Sequence, residues 1–199
     1  MKIRKEEYKK GYLILVNHSH FYTKTPESIS RYSSNFPNIK LENEALVNLK
    51  KALQEIDAKD SIIPVSGYRT EKEQRKLYNT SLKENGKDYT EKFVAYPNTS
   101  EHQTGLAIDL GKNIENLDFI CPSFPNCGIS KKFREIAPEY GFIERYTEEK
   151  KNMTKIAKEE WHFRYVSYPH SKIITDLHFC LEEYIEYIKQ FSYPTNPLK

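Results

Sequence analysis

S-E-H-Q-T-G-L-A-I-D-L, residues 100–110, sets a histidine, a glycine and an aspartate in one short run whose second half alternates. Leu106, Ile108 and Leu110 fall on one face and Ala107 and Asp109 on the other, the period-two pattern of a strand. His102 lies seven residues before Asp109, on the turn that enters the strand, with Gly105 between them. E-E-W-H, residues 159–162, adds a second histidine, His162, and a second carboxylate, Glu159, three residues ahead of it. Two imidazoles and a carboxylate, with one further position left to water, form the ligand set of a hydrolytic zinc site. A carboxylate beside that water is the general base such chemistry needs. The spacing therefore points to one zinc ion held by His102, Asp109 and His162, with Glu159 close by. Trp161 should face the opposite side of its strand, into the core. Regular alternation would also put Glu160 on the face of His162, so the pleat alone does not choose between the two glutamates.

Working outward, Leu41 to Ala58 reads as an amphipathic helix, with Leu46, Leu49, Leu53 and Ile56 at helical spacing. Ser61 to Ser66 reads as a strand, and Pro64 assigns it to an edge or a bulge. Gly67-Tyr68-Arg69 turns out of it, and Thr70-Glu71-Lys72-Glu73 has the form of a capping box opening a helix that runs to about Glu84. Arg69 thus sits just before a helix N-terminus, with Gln74 one turn in, a place suited to an anionic or carbonyl ligand. On residue chemistry alone, a surface salt bridge is the plainer reading of Arg69.

Asn85 to Thr99 reads as a long connection and Gly111 to Pro125 as a loop forming a rim over the site. Ser130 is expected to cap a helix ending at Gly141. Phe142 to Tyr146 and Glu160 to Val166 read as strands joined by the charged loop Thr147 to Lys158. Ser171 to Phe191 is expected to be helical with a break near Phe179, its core stripe carrying Leu177, Leu181, Tyr184, Ile185 and Ile188. At the other end, Gly11 to Asn17 reads as a short buried strand and residues 1–11 as a charged, frayed segment. His18 and His20 lie in a loop with no carboxylate at ligand spacing. Helices and short strands alternate without a βαβ rhythm, so the fold class is α+β: one domain, a small antiparallel sheet with flanking helices around one zinc site. Residues 1–40 form a segment packed on a domain at 41–199.

The 199 residues suffice for one domain with a real core. The net charge of +3, with no long block of like charge, argues against a nucleic-acid partner. Cys121, Cys127 and Cys180 are too few for a disulfide scaffold and fit no structural zinc spacing, so reduced thiols are favoured over a Cys121–Cys127 bridge. The apolar run Tyr12 to Val16 is too short for a membrane span. A cytoplasmic protein is expected, or an extracytoplasmic one if an N-terminal anchor precedes it. Oligomeric state stays open.

H-x6-D is a weak pattern by itself; its conjunction with E-x-W-H carries more through what the two resemble. Ser100-Glu101-His102-Gln103-Thr104-Gly105-Leu106-Ala107-Ile108-Asp109 and Glu159-Glu160-Trp161-His162 resemble the S-x-H-x-x-G-x-A-x-D and E-x-W-H motifs of the zinc D,D-peptidases of the VanX, VanY and VanXY type. G-Y-R-T-E-K-E-Q-R (67–75), S-L-K-E-N-G (81–86), I-C-P-S-F (120–124) and W-H-F-R-Y-V (161–166) extend the likeness to about residues 60–190, most like the bifunctional VanXY type. The resemblance implies that His102, Asp109 and His162 hold zinc, that Glu159 is the general base and that Arg69 holds the scissile carbonyl and its oxyanion. It further implies that Ser100 and Gln74 help fix the substrate's C-terminal carboxylate. The substrate implied is a small peptide, D-Ala-D-Ala or a peptidoglycan stem ending in it, in the context of vancomycin resistance. One departure is Glu160, where VanXY-type chains tend to carry Pro. Two alternatives share the frame: a cell-wall endopeptidase cutting an L-Ala–D-Glu bond, and a non-catalytic zinc-stabilised binding module of the kind found in the Hedgehog signalling domain.

Overall fold

The computed structural model describes residues 11–191. The expected fraying of residues 1–11 falls almost wholly outside them. The described residues begin with a 3-10 turn at Gly11–Leu13, then two short paired strands, β1 (Ile29–Arg31) and β2 (Lys40–Glu42). Helix α1 (Asn43–Glu55) follows, strand β3 (Ile62–Ser66), and helices α2 (Glu71–Asn85) and α3 (Lys87–Phe93). After a 3-10 turn at Glu101–Thr104 come β4 (Ala107–Lys112), α4 (Gly128–Ile136) and β5 (Phe142–Tyr146). The short helix α5 (Lys151–Thr154), β6 (Glu159–Tyr165), α6 (His170–Asp176) and α7 (Leu181–Phe191) complete the order.

The main sheet is antiparallel throughout, in the order β3-β4-β6-β5. Pro64 sits both on an edge strand and at a register shift, because it has no N–H to give a ladder. Central β4 is buried on both faces. Ile108 and Leu110 meet Leu49, Leu53, Phe133 and Phe163 in the main core, while Asp109 looks the other way. A second core gathers Leu13, Ile143, Val166, Ile174 and the stripe Leu181, Tyr184, Ile185 and Ile188. The capping box of α2 is complete: Thr70 Oγ1 accepts from the Glu73 amide, and the Glu73 carboxylate accepts from the Thr70 amide.

Several expectations need correction. Gly11 to Asn17 is not a strand; two of its carbonyls, on Tyr12 and Ile14, accept from the Arg164 guanidinium instead of a sheet ladder. The connection 85–99 contains α3, which buries Thr90 against Ser81 of α2 through a 2.8 Å hydroxyl pair. Ser130 does not cap: the N-cap is Cys127, and Ser130 is fully buried within α4. The helix ends at Ile136, and a 3-10 turn carries the chain to Gly141. The loop 147–158 holds a 3-10 turn and α5, and Leu177 lies in the break between α6 and α7, 44% exposed.

Candidate metal centre

The register of the sheet brings the first two site residues together. Asp109 of β4 and His162 of β6 are directly opposed partners. Opposed residues share a face, with Cβ atoms about 4.5–5.5 Å apart. His162 Nδ1 lies 3.0 Å from Asp109 Oδ1. His102 arrives from the 3-10 turn, which bends into β4 through Gly105 at φ +74; a Cβ there would run into Ile29 Cδ1. Its Nε2 lies 3.1 Å from Asp109 Oδ2. His102, Asp109 and His162 offer three donor atoms all within 4.8 Å of one another, and all three residues are buried.

Each imidazole is anchored through its far nitrogen. His102 Nδ1 bonds to the carbonyl of Gly67 at 2.8 Å, leaving Nε2 for the centre. Gly67 is needed because any Cβ would overlap the carbonyl oxygen of Lys40. His162 Nε2 bonds to Glu101 Oε2 at 3.2 Å, leaving Nδ1. Outer partners of this kind are what orient metal-binding histidines. The donor set, two nitrogens and one carboxylate, suits zinc.

Glu159 is 6% exposed, its Oε2 3.7 Å from His162 Nδ1. The neighbouring Glu160 instead turns outward and pairs with Lys158. The pleat fails to separate them because pairing slips here: Glu144 opposes Phe163, but Tyr146 opposes Glu159. The same irregularity leaves Trp161 half-buried, packed against the core yet also on the cavity wall, so its side chain does not point wholly into the core.

These groups line one cavity of about 430 Å³ together with Arg69, Ser100, Tyr146, Phe119 and Ile120. The last two come from the expected rim loop. Arg69 is held by its Nη1 on Ser66 Oγ (3.1 Å), while its buried Nε has no partner. Ser100 is buried on the wall. Gln74 is not among the lining residues; it is fully buried, its Nε2 donating to the carbonyl of Ala95, which is on the wall.

Electrostatics separate the carboxylates. Burial pushes Asp109 upward, but His102 and His162 outweigh it and hold its pKa well below the usual range. Burial alone dominates at Glu159, which rises to about 8. Burial and Arg69 bring His102 down to about 4, whereas bonds to Asp109 and Glu101 overcome burial and lift His162 to about 9. Two carboxylates in one cavity, one held charged and one inclined to keep a proton, are suited to charge binding and proton transfer respectively.

The sequence reading missed Glu101, Arg145 and Arg164. Glu101 is 2% exposed and accepts from Arg145 Nε and Arg164 Nη1, each at 2.9 Å. A signal was present: Arg164 follows His162 by two, so it shares that buried strand face and requires a counter-charge there.

Such a centre, with a spare carboxylate and a guanidinium in one cavity, defines a metal-dependent hydrolase. Residues 38–168 match the family model described as VanY: D-alanyl-D-alanine carboxypeptidase, and the chain belongs to that family of peptidases. It is 44% identical over 181 residues to the bifunctional D-Ala-D-Ala dipeptidase and D-Ala-D-Ala carboxypeptidase VanXYC of Enterococcus gallinarum, covering 89% of this chain and 95% of the relative. The structure of the vancomycin resistance D,D-dipeptidase VanXYg in complex with a D-Ala-D-Ala phosphinate analogue superposes with a TM-score of 0.88 at 47% identity, covering 96% of this chain and 76% of that one. A VanY D,D-pentapeptidase from a VanB-type resistance cassette, in complex with Zn(II), gives 0.70 at 27% identity, covering 87% and 98%. No described helix is long and apolar enough to cross a membrane. Cys121, Cys127 and Cys180 are free thiols.

Proposed function

We propose that this protein hydrolyses the D-Ala-D-Ala peptide bond with zinc, in the free dipeptide and at the C-terminus of peptidoglycan stem peptides, in the setting of vancomycin-type resistance. The observation that carries the reading is the buried triad in one cavity with Glu159 and Arg69. The likeness to a bifunctional dipeptidase and carboxypeptidase over nearly its whole length supports the substrate. His102 through Nε2, Asp109, and His162 through Nδ1 would hold the ion. Zinc, when bound, supplies a Lewis acid that lowers the pKa of water and polarises a carbonyl.

The chain's own groups do the rest. Glu159 takes the proton of the attacking water and returns it to the leaving D-alanine amine; an inclination to hold a proton suits that second role. Arg69, with an unpartnered Nε and the carboxylates of Asp109, Glu159 and Glu73 nearby, stabilises the oxyanion that develops on the scissile carbonyl. Ser100, whose hydroxyl makes no bond to the turn it precedes, meets the substrate's terminal carboxylate. Gln74 acts from behind the wall by fixing Ala95. The peptidase domain is residues 41–199, of which 41–191 are described, and the described part of the N-terminal segment, 11–40, packs upon it. The three free thiols fit a reducing compartment, the cytoplasm.

Arg69→Ala tests the mechanism. Turnover should fall by about 100-fold or more with zinc content unchanged, the usual loss when an oxyanion contact is removed. An unchanged kcat would take Arg69 out of the mechanism, and full activity without stoichiometric zinc would contradict the metal reading.

A further inference from the structure

The mechanism above leaves one enclosed charge without a task. Glu101 has one oxygen, Oε1, engaged by both Arg145 Nε and Arg164 Nη1, and the other, Oε2, left to His162 Nε2. All three charged side chains are fully buried. The arginines are themselves fixed from outside the site. Arg145 Nη2 donates to Glu182 of α7 at 2.8 Å, and Arg164 Nη2 to the carbonyls of Tyr12 and Ile14 at 3.1 and 2.7 Å. The carboxylate therefore cannot rotate without breaking two charged contacts. An imidazole nitrogen that carries a proton has no lone pair for a metal, so the placement of one proton decides whether His162 can ligate through Nδ1.

We propose that Glu101 is a positioning residue: it keeps the proton of His162 on Nε2, aiming the Nδ1 lone pair at the point that Asp109 and His102 share. The inference rests on the metal reading of the triad. The isosteric amide exposes it. In Glu101→Gln the two guanidinium donors claim the amide oxygen, so the amide NH₂ must face His162 Nε2. Donor then meets donor, and the ring is pressed toward the tautomer that cannot ligate.

The test is zinc affinity of Glu101→Gln by chelator competition at fixed pH, beside the parent and with thermal unfolding of both. Binding 10- to 100-fold weaker in a folded variant is expected, the range for loss of an outer partner. A folded variant within twofold of the parent would overturn the proposal and leave the triad reading intact. A parent that takes up no zinc would overturn both. If the variant does not fold, the parent decides: loaded with cadmium-113 and nitrogen-15 histidine, it should show His162 coupled to the metal through Nδ1 with a proton on Nε2. Coupling through Nε2 would overturn the assignment.

Discussion

Glu159 and His162 touch, yet both resist the change in charge that water would impose on each near neutral pH. Burial holds Glu159 up to about 8 against an ordinary value of 4.5. The folded chain keeps that proton over a window in which the unfolded chain has lost it, so this group removes stability as pH rises from about 4.5 to 8. Glu159→Gln should therefore make the metal-free protein more stable than the parent at pH 8, by about 1 kcal/mol or more, while kcat falls by roughly 10²–10⁴-fold. Urea unfolding at pH 5 and pH 8 reads the first, and a gap that does not widen with pH would contradict it. His162, raised to about 9, carries protons on both nitrogens at pH 7 in the metal-free centre. A cation at Nδ1 must displace one of them. Zinc affinity should accordingly rise between pH 6 and 9, with proton release seen by calorimetry in buffers of different ionisation heat; a flat profile would rule this out.

The elements place those residues by register. One antiparallel pairing opposes Asp109 to His162, and one left-handed glycine swings His102 in beside them. Gly67→Ala should act at this scale. The added methyl would meet the Lys40 carbonyl and displace the Gly67 oxygen that anchors His102 Nδ1. Stability should drop by about 1–3 kcal/mol, as for other overpacked sites, with weaker zinc binding; unchanged affinity would detach the β3 end from the centre. Much of this was legible. Alternation in L-A-I-D-L located β4 and the side that carries Asp109, and T-E-K-E located α2. The N-terminal run misled because an apolar stretch says nothing about where its carbonyls go, and here Arg164 takes them. Helix α3 was missed because K-D-Y-T-E-K-F offers only one apolar pair, Tyr89 and Phe93 a turn apart, and its one fully buried residue is a threonine held by its hydroxyl. Alternation did not tell Glu159 from Glu160; the resemblance named Glu159, and the slipped pairing with β5, which pattern alone does not encode, turns Glu159 inward and Glu160 outward.

At the scale of the molecule, the centre is tied to both flanks of the region that matches the family. The 11–14 segment reaches it through Arg164, and α7 through Glu182 and Arg145. Removing zinc should therefore lower the melting temperature of the whole domain, since a ligand bound only by the folded state stabilises by mass action. The rim loop brings Phe119, 56% exposed, and Ile120 to a cavity otherwise floored by the metal centre. The most direct measurement is D-alanine release by the zinc-loaded protein, from D-Ala-D-Ala and from a stem pentapeptide ending in D-Ala-D-Ala, with zinc-retaining Glu159→Ala as control. Release from both, abolished in the variant, is the expected result. Release from neither, with zinc bound, would contradict the D,D-peptidase assignment.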